Sequence, residues 1–142
     1  MGKKIRSVVL CPCGSGRALD ACCGPLLSGD KTAETPEALM RSRYTAYALG
    51  DDAYVLATWD EATRPAELFA RGEARSKWLR LAVESSSVHE DGATGEVTFT
   101  ATGRTSEGAF RMTERSLFRR TDEGWVYVKA LVDGMEGDES DR

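Results

Sequence analysis

All four cysteines of the chain fall within thirteen residues, Cys11-Pro-Cys13-Gly-Ser-Gly-Arg-Ala-Leu-Asp-Ala-Cys22-Cys23, and the 117 residues beyond Pro25 contain none. Core cysteines scattered by chance do not cluster in this way. Zinc takes four soft or borderline ligands in a tetrahedron, with sulfur at about 2.3 Å. One short segment can supply four thiolates if its backbone turns sharply twice. Gly14, Gly16 and Gly24 permit such turns, because glycine accepts a positive φ without steric cost. A helical turn within Ser15–Ala21 would carry Cys22 and Cys23 back toward Cys11 and Cys13. Binding a metal would also supply folding energy to a stretch too short to own a core. The expectation is a structural zinc site on Cys11, Cys13, Cys22 and Cys23.

Three alternatives compete. A disulfide framework is disfavoured by an inferred cytoplasmic location, and adjacent cysteines such as Cys22 and Cys23 rarely bond each other. A redox pair would need a Cys-x-x-Cys near a strand–helix junction, which the chain lacks. Iron also suits four sulfurs, but zinc fits better. Four sulfurs leave no open coordination position, so chemistry at the metal is not expected.

The 142 residues suggest one domain with a small appendage, and no apolar run approaches the roughly 20 residues of a membrane span. Ser7–Leu10 is too short for a signal-peptide core. The net charge of −4 is uneven: residues 1–31 carry five basic against two acidic side chains, leaving −7 on the rest. A basic front of this size reads as a solvated surface rather than a nucleic-acid site.

Beyond the cysteines, residues 26–35 read as a linker. Thr35 is placed to cap a helix that Pro36 opens and Ala38–Ala48 continues. Leu39, Arg43 and Tyr47 share one face of it, and Met40, Tyr44 and Ala48 the next. Gly50-Asp51-Asp52 ends it. A second helix is expected over Ala53–Trp59 and a third, short one over Pro65–Ala74. From Trp78 the period changes to two, with strands near Leu79–Val88, Gly95–Thr102, Ala109–Arg120 and Trp125–Val132. Turn signals at Asp91-Gly92, Ser106-Glu107-Gly108 and Asp122-Glu123-Gly124 separate them. Val97, Phe99 and Ala101 point one way, and Phe110, Met112, Glu114, Ser116 and Phe118 share a face. Helices first and hairpin-linked strands after imply an α+β fold with helices on one face of an antiparallel sheet of about four strands.

The cysteine spacing, C-x-C-x8-C-C, resembles the SEC-C motif, the zinc-binding knuckle at the C-terminus of the preprotein-translocase ATPase SecA. The resemblance extends to Cys22-Cys-Gly-Pro-Leu-Leu-Ser-Gly-Asp, to LMRSRYTAY from Leu39 to Tyr47, to Leu56-Ala-Thr-Trp59, to Glu114-Arg-Ser and to Trp125-Val-Tyr127. Together these are similar to the YchJ-like family of bacterial proteins. The resemblance implies an NTF2-like (cystatin-like) cone of helices against a curved antiparallel sheet, with residues 1–30 as knuckle, 31–134 as domain and 135–142 as a flexible acidic tail. It implies no known reaction. A His is expected beside Glu-Arg-Ser; this chain has Thr113.

A cone of this kind often encloses a pocket. The candidates to line it are Arg41, Arg43, Tyr44, Tyr47, Trp59, Glu114, Arg115 and Trp125. Glu114 is the most informative, because a carboxylate on an apolar face is expensive unless paired. Arg43 is the expected partner, as a tie between helix and sheet. The single histidine, His89, lies in a turn and reads as a surface residue. No nucleophile has a catalytic context. Three functions follow as expectations: an adaptor whose knuckle presents a surface to a protein partner, with a homodimer through the sheet; a small-molecule binder or enzyme using the cone; and, ranked last, nucleic-acid binding by the basic knuckle.

Overall fold

The structure, a computed structural model, describes residues 9–66 and 77–137. The knuckle comes first. Gly14 (φ 82°) and Gly16 (φ 85°) take the left-handed backbone that tightens the loop. Cys11 N–H donates to the Arg17 carbonyl at 2.9 Å and Leu19 N–H to that of Val9 at 2.8 Å, closing a small loop. A 3₁₀ turn over Leu19–Ala21 then delivers Cys22 and Cys23.

Helix α1 spans Gly24–Ser28, where a linker was expected to begin. Pro25 fits its first turn and Gly29 (φ 90°) ends it, five residues being too few for a visible period. Helix α2 spans Pro36–Leu49. Thr35 Oγ1 accepts from Ala38 N–H at 3.0 Å, and Gly50 closes the helix in the left-handed conformation. Helix α3 spans Asp52–Ala57, with Asp51 capping Tyr54 N–H at 3.1 Å. It stops two residues short of the expected end, because Thr58–Asp60 has other bonds to make. Of the expected third helix, Pro65 and Ala66 are irregular, and residues 67–74 lie outside the described residues.

The strands run β1 Lys77–Val88, β2 Thr94–Thr105, β3 Gly108–Thr121 and β4 Gly124–Gly137. Each includes the expected range and extends beyond it. They form an antiparallel meander in the order β1-β2-β3-β4. β4 reaches Gly137, which pairs with Phe110, so the strand continues into the stretch read as a tail; residues 138–142 lie outside the described residues. Register shifts near Val83 in β1 and near Ser116 opposite β4 mark bulges, which bend strands and increase twist. Phe99 pairs with Glu114, Ala101 with Met112 and Val97 with Ser116, so the two faces read from the sequence are one continuous face. Helix α2 lies against it.

Thr58–Asp60 pairs parallel with β4. Tyr127 N–H donates to the Thr58 carbonyl and Asp60 N–H to that of Tyr127, both at 2.8 Å. Arg119 grips Asp60 with two nitrogens, at 3.0 and 3.2 Å, and holds its carboxyl below the usual range. Among the described residues, no helix is long and apolar enough to cross a membrane.

Candidate metal centre and cavity

Cys11, Cys13 and Cys23 are buried and Cys22 is half-buried. One ligand atom from each lies within 4.8 Å of all the others. The Cys13–Cys22 sulfurs are 3.6 Å apart and the Cys22–Cys23 sulfurs 4.0 Å. A tetrahedral ion with sulfur at about 2.3 Å places its ligands roughly 3.8 Å apart, so the four sulfurs are close enough together to hold a metal ion. The same separations are far above a disulfide bond, and all four cysteines are free.

Hydroxyls and a guanidinium lie close to the four cysteines. Thr45 Oγ1 lies 3.5 Å from Cys11 Sγ, and Ser15 Oγ lies 3.2 Å from Cys22 Sγ. Arg41 Nη1 donates to the Cys13 carbonyl at 2.8 Å while its Nε donates to Glu37. A hydrogen bond from Cys23 holds the Cys13 thiol down to about 4 against its burial, and the same bond, with burial, pushes Cys23 up. A bound cation would displace the thiol protons.

The knuckle is also part of the main core. Cys11, Cys13 and Cys23 belong to the same apolar cluster as Leu39, Met40 and Leu81. A Cβ on Gly14 would come within 3.3 Å of the Leu81 carbonyl, so the loop rests on β1.

The second feature is a cavity of about 310 Å³ between α2 and the sheet. Arg43, Tyr44, Tyr47, Trp59 and Glu114 line it, as expected from the sequence, together with Met40, Trp78, Phe99, Ala101, Met112, Ser116, Phe118 and Tyr127. Edge-to-face aromatic contacts knit the wall: Tyr44–Trp78 at 5.8 Å, Trp78–Phe110 at 5.4 Å and Phe118–Tyr127 at 5.7 Å between ring centres.

Four expectations need correction. Trp125 does not line the cavity; it packs below the Arg120 guanidinium, beside a surface groove that includes Leu26 and Thr32. The sheet extends past the cavity at that end. Arg41 serves the knuckle, and Arg115 pairs with Glu96 at 3.3 Å away from the cavity. Most importantly, Arg43 does not pair with Glu114. Arg43 Nη1 donates to the Val55 carbonyl at 2.7 Å and to Thr58 Oγ1 at 2.9 Å. Its guanidinium lies over the rings of Trp59 and Tyr127, 4.9 and 4.7 Å from their centres. The carbonyls at the C-terminus of α3 carry partial negative charge and spare acceptor capacity, and these attract the cation. Glu114 Oε2 accepts instead from Ser116 Oγ at 2.6 Å and Tyr127 OH at 2.9 Å. Burial, then the neighbouring Glu114, pushes the Tyr127 phenol up, so it stays a donor.

Ser116 was on the predicted face; Tyr127 was missed as a lining residue although it lies two positions from Trp125 and shares its strand parity. His89 lies half-exposed, as expected, bonded to Thr94 and Glu96. Thr113, where a His was expected, is exposed and lies 3.0 Å from the Thr100 hydroxyl.

Known proteins with this arrangement are numerous. Residues 35–130 match the model of the YchJ middle NTF2-like domain, and residues 10–25 match the SEC-C motif. A UPF0225 protein of Deinococcus radiodurans is 46% identical over 121 residues, covering 84% of this chain and 87% of that one. A UPF0225 protein of Chromobacterium violaceum is 45% identical over 135 residues, covering 93% and 99%. The solution structure of a SEC-C motif containing protein from Rhodopseudomonas palustris superposes with a TM-score of 0.74 at 41% identity, covering 86% of this chain and 97% of that one. A crystal structure from Psychrobacter arcticus, at 24% identity and a TM-score of 0.69 over 86% and 81% of the two chains, shares the fold. The chain therefore belongs to the YchJ-like UPF0225 family, a SEC-C motif followed by an NTF2-like domain.

Proposed function

We propose that the protein is a small-molecule binder whose four-cysteine site is a structural zinc centre. The observation that carries this reading is the cavity of about 310 Å³, with Glu114 in its wall held by two hydroxyls rather than neutralised by an arginine. A carboxylate that only tied helix to sheet would be paired with Arg43. Ligand pockets are mostly apolar, with a few placed polar groups, and this cavity sits at the small end of their range of roughly 300–1,000 Å³. Cys11, Cys13, Cys22 and Cys23 would hold the zinc. Its contribution is to tie the N-terminal segment to α2 and β1 through a closed coordination sphere. Soaking crystals of the metal-loaded protein with xenon tests the cavity, since xenon enters dry apolar space. Xenon bounded by Phe99, Ala101 and Phe118 is the expected result; a collapsed cavity that takes up no xenon sinks the reading.

One observation favours an adaptor role beside this. Val9 and Leu10, adjacent on the knuckle, are 64% and 60% exposed, next to exposed Arg17. A partner in protein-handling machinery, by analogy with SecA, would cover them. A homodimer through the sheet is part of the same reading. Replacing Leu10 and Arg17 by Glu should then abolish a specific complex without unfolding the chain, and an undiminished complex would exclude the knuckle as its contact.

A further inference from the structure

We propose that the cavity takes a neutral, mainly apolar molecule of one or two rings that carries a single N–H or O–H, donated to Glu114 Oε1. The inference rests on the ligand-binding reading above and adds the chemistry of the ligand.

Three observations lead to it. The first is an open acceptor. Ser116 and Tyr127 both donate to Oε2 of Glu114, and no donor from the described residues reaches Oε1. A carboxylate oxygen in an apolar wall selects a ligand that brings a donor. The second is the charge balance. Among the described residues, the wall holds one anion, Glu114, and one cation, Arg43, whose charge is spread over the Val55 carbonyl, Thr58 and two aromatic faces. A charged ligand would add an uncompensated charge to apolar surroundings. The third is size and shape. An apolar cavity of about 150 Å³ admits benzene, and this one has about twice that volume between Tyr44, Trp78, Phe99 and Phe118. Flat aromatic compounds pack well against such edges.

Indole and benzofuran test this directly, since they share a shape and differ in the N–H. Each is titrated into the full-length, metal-loaded protein and followed by amide shifts in ¹H–¹⁵N spectra. Indole is expected to bind at least ten-fold tighter, with shifts centred on Phe99, Glu114 and Tyr127. In Glu114→Gln the amide carbonyl keeps the Ser116 and Tyr127 donors and turns its NH₂ toward the ligand. The preference should then reverse in favour of benzofuran. Equal binding of the two by the wild type, or a preference unchanged in the Gln variant, overturns the donor assignment while leaving the cavity a binding site. Binding of neither overturns the cavity reading as well. Tighter binding of tryptamine or of indole-3-acetate than of indole overturns the neutrality argument. Should the Gln variant not fold, the wild-type comparison decides by itself.

Discussion

Arg43 is 5% exposed and carries a full charge, so its surroundings must compensate it. The Val55 carbonyl, the Thr58 hydroxyl and the faces of Trp59 and Tyr127 do so without a carboxylate in contact. Burial accordingly pulls its ionisation below the ordinary arginine value. Arg43→Met would leave the Val55 carbonyl only the longer bond from the Thr58 hydroxyl and would remove two ring contacts; a loss of about 2–3 kcal/mol in urea unfolding is expected. Arg43→Lys should restore little of it, because an ammonium reproduces neither the planar stacking nor the reach. Glu114 was legible as a carboxylate on the core face from the period of β3 alone. Its partners were not. Arg43 turns toward the end of α3, a position that depends on how two helices meet, and no spacing within either helix encodes it.

The element scale shows where periodicity carried the reading and where it failed. The alternation of Val97, Phe99 and Ala101 against Met112, Glu114 and Ser116 placed the core face of β2 and β3 correctly, because each strand is long and polar on its other side. Thr35 and Gly50 bracket α2 as their chemistry dictates. Helix α1 escaped because five residues carry no period. The pairing of Thr58–Asp60 with β4 escaped because it joins residues far apart in sequence. Trp125 was expected to line the cavity and does not, because the period of a long strand cannot tell which end of it the cavity occupies. One close approach locks the layers together. A Cβ on Gly95 would come within 2.7 Å of both Pro36 Cγ and the Ser87 carbonyl. Gly95→Ala must therefore push the first turn of α2 away from β2 or strain the β1–β2 ladder. A destabilisation of about 1–3 kcal/mol is expected, with amide shifts spreading along α2. An unperturbed α2 would show that the helix does not rest on that glycine.

At the scale of the whole molecule, the knuckle and the cone share one core, with Cys13 and Cys23 packed in the same cluster as Leu39 and Leu81. The same helix that backs the cysteines through Thr45 lines the cavity with Met40, Arg43 and Tyr44. That continuity makes a metal at the cysteines a staple for the domain rather than an ornament on its surface. The cysteine cluster was the most legible feature of the sequence, and its docking onto α2 and β1 the least, since no spacing links the cysteines to Arg41, Thr45 or Leu81. The decisive measurement is elemental analysis of the purified protein combined with thiol counting before and after chelation. One zinc per chain, four thiols silent until the chelator is added, and a lower melting temperature once the metal is gone are the predicted results. A folded chain with no bound metal and four freely reacting thiols would contradict the account.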